Sequence, residues 1–209
     1  MNKIKALLFD LDGVLVEAKE WHYEALNSAL SNFGYGISRY DHLVSFDGLP
    51  TRKKLEMLSI DNGLPFGLHA FINKLKQDIT LKIIYKNCKP VFHHQYALSK
   101  FASSGLKICV CTNSVNVTAE LMLRKADLLQ YLEFFLTNED VESAKPDPEI
   151  YTTAINRLEL KPTDCLIIED NENGLKAARA SGAYVLQVAD TNQVTHSRIL
   201  QEINGIENG

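Results

Sequence analysis

The sequence has no uninterrupted apolar run of about 18 residues, no internal repeat and no low-complexity stretch. A membrane-spanning helix and a solenoid are therefore not expected. No excess of one charge exists either: 22 Lys and Arg stand against 26 Asp and Glu, a net charge of -4. Without a basic stripe there is no footprint for nucleic acid. Cysteine is sparse, with four in 209 residues. Cys109 and Cys111 fall in "LKICVCTN", where strand spacing puts both on one face, and no partner ligands stand at zinc spacing. Buried, reduced thiols are expected, with no bridge and no metal. The start "MNKIKALLFDLDG" is basic, but its apolar run is too short for a secretory leader and meets Asp10. A cytoplasmic protein is expected.

What is present is alternation. "IKALLFD" (4–10), "LKICVCTN" (106–113), "EFFLTNE" (133–139), "DCLIIED" (164–170) and "AYVLQVAD" (183–190) read as strands. Their continuous apolar runs suit a parallel sheet buried on both faces. Helical spacing separates them at 116–128, 148–160 and 172–182, with Pro148 suited to a first turn and Gly182 to a stop. Strand–helix alternation predicts an α/β fold with a doubly wound parallel sheet. From about Glu17 to Ile84 only helical patterns occur, as in "EWHYEALNSALSNFG", "TRKKLEMLSID" and "GLHAFINKLKQDITLKIIY". This predicts a core of 1–16 and 86–209 with an inserted α-helical domain at 17–85. "NCKPVFHHQ" would be the return linker, with Pro90 opening the next helix and His93–His94 at the surface.

Ligands of open parallel sheets bind beyond the carboxyl ends of the strands. At those ends the sequence places Asp10 and Asp12, then Thr112 and Asn113, then Lys145 in "SAKPDPEIY", then Glu169 and Asp170 in "IIEDNENG". Four carboxylates repel unless cations are bound, and one lysine does not balance them. A hard divalent cation is implied, and Mg²⁺ suits carboxylate and water oxygens shared with a substrate phosphate. Asp10 and Asp170 are the best side-chain ligands, with Glu169 a direct or a water-mediated one. Mg²⁺ and Lys145 together make an anion site.

The chemistry this permits is phosphoryl transfer. Asp10 would attack phosphorus as nucleophile, and Asp12 would serve as general acid and then base. Gly13 lets the chain curl so that both carboxylates face one phosphoryl group. Thr112 and Asn113 would donate hydrogen bonds to phosphoryl oxygens, although both are also placed to cap the helix beginning near Asn116. Asp170 is likewise placed to cap the helix after it.

"FDLDGV" at 9–14, "TNS" at 112–114, Lys145 in "AKPDPEIY" and "IIEDNENG" at 167–174 resemble the four motifs of the haloacid dehalogenase superfamily, in the family's order. The resemblance spans the chain and is nearest to the helical-cap phosphatases and β-phosphoglucomutases. It implies a Rossmann-like core, Mg²⁺-dependent phosphoryl transfer, the Asp12 backbone carbonyl as a further metal ligand, and a cap closing over the substrate. It also implies that His22 contacts the general acid/base and that Arg52 meets a distal phosphate. Glu17 and Ala18 replace a frequent Asp-Ser/Thr pair, Asn171 a frequent serine and Val91 a frequent glycine. These departures touch the cap hinge and substrate choice, as does the loop around Phe46–Arg52.

The function expected is a monomeric Mg²⁺-dependent phosphatase acting on a small phosphorylated metabolite through an aspartyl-phosphate. One alternative is a sugar-phosphate mutase, which uses the same two aspartates; another is an inactive relative that only binds phosphometabolites. Asp12 speaks against a dehalogenase or a phosphonatase, both of which the resemblance implies would lack it. A response-regulator receiver would carry its acidic pair first in the chain, whereas here it comes late. Trp21 and Tyr23 are read as packing within the inserted helices.

Overall fold

The computed structural model describes residues 4–46 and 48–208, so Asp47, within the loop read as a specificity element, lies outside the described residues, as do residues 1–3 and 209. The chain enters through β1 (Ala6–Phe9) and then runs only through helices: α1 (Lys19–Ser31), α2 (Arg39–Asp41), α3 (Thr51–Asn62), α4 (His69–Asn87) and α5 (Phe92–Ser103). Strand–helix alternation follows as β2 (Lys107–Cys111), α6 (Asn116–Lys125), β3 (Phe134–Leu136), α7 (Glu149–Arg157), β4 (Cys165–Glu169), α8 (Glu172–Ala180), β5 (Tyr184–Gln187) and α9 (His196–Asn208).

All strand pairs are parallel, in the order β3-β2-β1-β4-β5. The side-chain period of two sorts each strand between two cores. Leu7, Phe9, Ile108, Val110, Leu166 and Ile168 pack with α5, α6 and α9 on one face. Ala6, Leu8, Cys109, Cys111, Cys165 and Ile167 pack with α7 and α8 on the other. This is why β1, β2 and β4 read as unbroken apolar runs: beyond Lys107 neither of their faces sees water. The expected doubly wound sheet is present, and β1 sits at its centre, where the connections turn from one side to the other.

All four cysteines are buried and unbridged, and burial pushes the Cys109 and Cys165 thiols up to about 12. A third apolar cluster lies away from the sheet. Leu26, Ala29 and Leu30 of α1 meet Leu55 and Leu58 of α3 and Ile72 of α4. The helices between β1 and α5 therefore have a core of their own. Trp21 packs against the sheet-side core, and the Tyr23 hydroxyl donates to the Ile37 carbonyl.

Two local expectations are corrected. Pro90 does not open the helix; it stands outside, and Val91 precedes the first helical residue. His93 and His94 belong to α5, and His94 is only 1% exposed. The Nε2 atoms of both rings meet the Thr191 carbonyl, at 3.2 and 2.8 Å. The sequence offers no local signal for a partner nearly a hundred residues away, which is why the pair read as surface.

Candidate active site

Beyond the carboxyl ends of the strands lies a cavity of about 210 Å³, walled on one side by the sheet edge and on the other by α1, α3 and α4. Asp10 is held at its floor because its backbone N–H continues the sheet, donating to the Ile168 carbonyl at 3.0 Å. The chain then turns sharply. Leu15 and Val16 donate to the Leu11 carbonyl, Gly13 donates to Val16, and Gly13 takes φ +96°, which a side chain would resist. This turn brings Asp12 round beside Asp10, as the sequence reading required.

The two carboxylates have different surroundings. Asp10 Oδ1 accepts from Lys145 Nζ at 2.7 Å. Burial pushes the Asp10 carboxyl well up, with Lys145 pulling against it and Glu169, Asp170 and Asp12 adding repulsion. Asp12 is only partly buried, and its oxygens are saturated with donors. Oδ1 meets His22 Nε2 at 3.0 Å, and Oδ2 accepts from Ser114 Oγ at 2.7 Å and Thr112 Oγ1 at 3.2 Å. Burial raises the Asp12 carboxyl, but the His22 ring, the Ser114 hydroxyl and the Lys76 ammonium outweigh it and bring it down to about 2.

Lys145 anchors the floor. Its ammonium meets Asp10, Glu169 Oε1 (2.6 Å), the Cys111 carbonyl and the Tyr151 hydroxyl (both 2.8 Å). Burial disfavours its charge, but Asp10 and Glu169 more than offset that and raise its pKa. Tyr151 in turn donates to Glu169 Oε1 at 2.7 Å, so a lysine, a phenol and a carboxylate close a ring out of contact with water. Glu169 Oε2 accepts from the backbone N–H groups of Asp170 and Asn171. Gly174 in the first turn of α8 lets the helix come this close; a Cβ there would overlap the Glu169 carboxylate.

Oxygens of Asp10, Glu169 and Asp170 lie within 4.8 Å of one another. Three hard oxygen donors around a repulsive, low-dielectric point fit Mg²⁺. A cation stands beside Asp170: Lys19 Nζ lies 2.5 Å from its Oδ2.

Of the residues singled out from sequence, Asp10, Asp12, Thr112, Asn113, Lys145 and Glu169 line the cavity together with His22. Asn113 departs from its expected part. Its side chain accepts from the Lys145 N–H and donates to the carbonyls of Lys145 and Gly48, so it fixes the loop carrying Lys145. Thr112 binds Asp12 and accepts from the Ser114 N–H. Arg52 stands at the rim with an 89% exposed side chain, paired with Glu56 at 3.0 Å. The inner wall is formed instead by Lys54 and Lys76. Lys76 Nζ lies 3.2 Å from His22 Nδ1, so the ring is neutral, accepting there and donating from Nε2 to Asp12. Burial first, then Lys76, lowers the His22 pKa, with Asp12 opposing.

Sequence reasoning missed Tyr151, Ser114, Lys76 and Lys19. Lys76 left a trace: it interrupts the buried stripe Ile72, Lys76, Thr80, Ile84 at four-residue spacing, where a lysine has no structural reason to be.

Comparison with known proteins gives the family and the fold. The family model of the haloacid dehalogenase-like hydrolases matches residues 7–188. A phosphorylated carbohydrates phosphatase of Thermotoga maritima is 27% identical over 187 residues, covering 86% of this chain and 82% of its own. The beta-phosphoglucomutase of Bacillus subtilis is 26% identical over 196 residues, covering 88% and 83%. In fold, the crystal structure of beta-phosphoglucomutase from Clostridium difficile superposes with a TM-score of 0.84 at 22% identity, over 97% of this chain and 98% of that one.

Proposed function

Since the chain belongs to the haloacid dehalogenase-like hydrolases, we propose that it is a phosphatase that hydrolyses a small phosphorylated metabolite through an aspartyl-phosphate on Asp10. The observation that carries the proposal is the pairing of Asp10 and Asp12 in one cavity with opposite support: a lysine behind the first, a histidine and two hydroxyls around the second. Relatives named as phosphatases support the same reaction class.

Asp10 forms the bond to phosphorus as the ester oxygen leaves, and that oxygen takes its proton from Asp12. Asp12 then removes a proton from water, which attacks the phosphoryl group and frees Asp10 and inorganic phosphate. Before substrate binds, Asp12 is ionised, ready for the second step. An incoming phosphoryl dianion raises its pKa by like-charge repulsion and equips it as an acid for the first. Lys145 keeps Asp10 in place and balances charge throughout. Mg²⁺, held by Asp10, Asp170 and the Asp12 carbonyl with Glu169 behind them, would neutralise the carboxylates and polarise the phosphoryl oxygens. The helices of 17–85 act as the cap that excludes bulk water.

Lys54 and Lys76 face the leaving group from that cap, and both are buried in the cavity wall. They favour a leaving group that carries a second anionic function. Chemistry in a phosphomutase differs only in the acceptor of the phosphoryl group. Incubation with p-nitrophenyl phosphate, a panel of phosphorylated metabolites and β-glucose 1-phosphate separates the outcomes. Phosphate release that EDTA abolishes is expected. Glucose 6-phosphate formation outpacing phosphate release would reassign the protein as a mutase, and no turnover of any ester would leave a binding protein.

A further inference from the structure

Three carboxylates of the metal cluster face two lysines of unlike character. Lys145 is locked inside by four contacts and serves Asp10 and Glu169. Lys19 comes from the opposite side. It is the first residue of α1, its side chain is 31% exposed, and it reaches in to Asp170, whose side chain is 1% exposed. The approach is built into the turn after β1: a Cβ on Gly13 would overlap both Asp170 Oδ2 and Lys19 Cε. One helical turn on, His22 of the same helix meets Asp12. The first turn of α1 thus sets one side chain on each of two carboxylates of the site.

We propose that Lys19 is a counter-cation of the metal site, competing with the divalent cation for Asp170 and so setting the affinity of the site. The inference rests on reading Asp10, Glu169 and Asp170 as the Mg²⁺ ligands. An ammonium at 2.5 Å satisfies the same carboxylate that the metal needs, and two cations at one carboxylate repel. Lys145 has no route out, whereas Lys19 ends a flexible four-carbon stem at the cavity rim and exchanges Asp170 for solvent. Metal binding must break that pair, so the site binds Mg²⁺ more weakly than its three carboxylates alone would. Once displaced, the Lys19 ammonium still lines the cavity into which a phosphoryl group comes.

The test is calorimetric titration of the full chain with MgCl₂ in the absence of substrate, on wild type, Lys19→Met and Lys19→Arg, with Lys19→Gln as a second neutral variant. Folding of each is checked by circular dichroism. Lys19→Met and Lys19→Gln are expected to bind Mg²⁺ about tenfold tighter than wild type, and Lys19→Arg, which keeps the charge, within about threefold of it. The upward shift of Tm on adding Mg²⁺ should also be larger in the neutral variants. Equal or weaker binding by a folded neutral variant overturns the inference while leaving the metal site standing. Absence of Mg²⁺ binding in wild type and variants alike overturns the metal-site reading itself.

Discussion

Lys145 Nζ stands 2.7 Å from Asp10 Oδ1, across 135 residues of chain, and both groups are buried. Neither charge is tolerable there alone, and removing one partner of a buried pair typically costs about 3–5 kcal/mol. Lys145→Met should therefore destabilise the metal-free protein by about that amount, because Asp10 and Glu169 both lose their cation. Adding Mg²⁺ should restore part of the loss. Urea denaturation in EDTA and in MgCl₂ measures both; an unchanged midpoint in EDTA would contradict the pairing.

Tyr151 gives a finer test of the same ring. Tyr151→Phe keeps the packed ring but removes the donor to Glu169 Oε1 and an acceptor of Lys145. A loss of about 1–3 kcal/mol is expected, the range for a buried group left with an unmet hydrogen bond. Thermal denaturation decides, and a Tm equal to that of wild type would contradict it.

The pH dependence of stability tests Lys76. Burial, then the neighbouring Lys54, lowers its ammonium from 10.5 to about 8, with Asp12 opposing. Between about 8 and 10.5 the unfolded chain holds a proton that the folded chain has released, so this group adds stability as pH rises through that window. At 1.36 kcal/mol per unit the whole effect is about 3 kcal/mol. Lys76→Met removes the buried charge, so its stability relative to wild type should be greatest near neutrality and decline towards pH 10.5. Denaturant titrations of both proteins across the window follow that difference; a constant difference would contradict the depressed value.

On the proposed function, Lys54 and Lys76, buried in the cavity wall, meet the substrate in place of Arg52. Arg52→Ala should change kcat/KM for the best ester by less than about threefold, since exposed ion pairs contribute little. Lys54→Ala should raise KM by about tenfold or more for an ester bearing a second anion, and far less for p-nitrophenyl phosphate. Steady-state kinetics on both esters separates these, and the reverse ranking would return the anion site to Arg52.

The sheet and the floor of the site were legible because backbone pattern alone determines them. Unbroken apolar runs mark β1, β2 and β4, and residues just beyond a parallel strand have only one place to go. Asp10, Thr112 and Glu169 were found in that way. The helical side of the cavity was harder to read. Lys76, Lys19 and Arg52 are lysines and an arginine on helices, and spacing does not say which cation turns inward. Arg52 has Glu56 one turn away and stays outside, while Lys76 lies on the buried stripe of its helix and turns in to His22. Tyr151 is a core residue, but its hydroxyl needs a buried partner that only the fold supplies. His94 was misplaced for the same reason, its partner lying on the far side of the chain.

The proposed reaction requires a covalent phosphate at Asp10. Turnover mixtures of the Asp12→Ala variant with Mg²⁺ and a reactive ester, quenched in acid and examined by peptide mass spectrometry, test it most directly. The phosphate is predicted on the peptide containing Asp10, accumulating because no base activates water, and absent with EDTA or in Asp10→Asn. Phosphate release persisting in Asp10→Asn at a rate near that of wild type, with no labelled peptide, would contradict it.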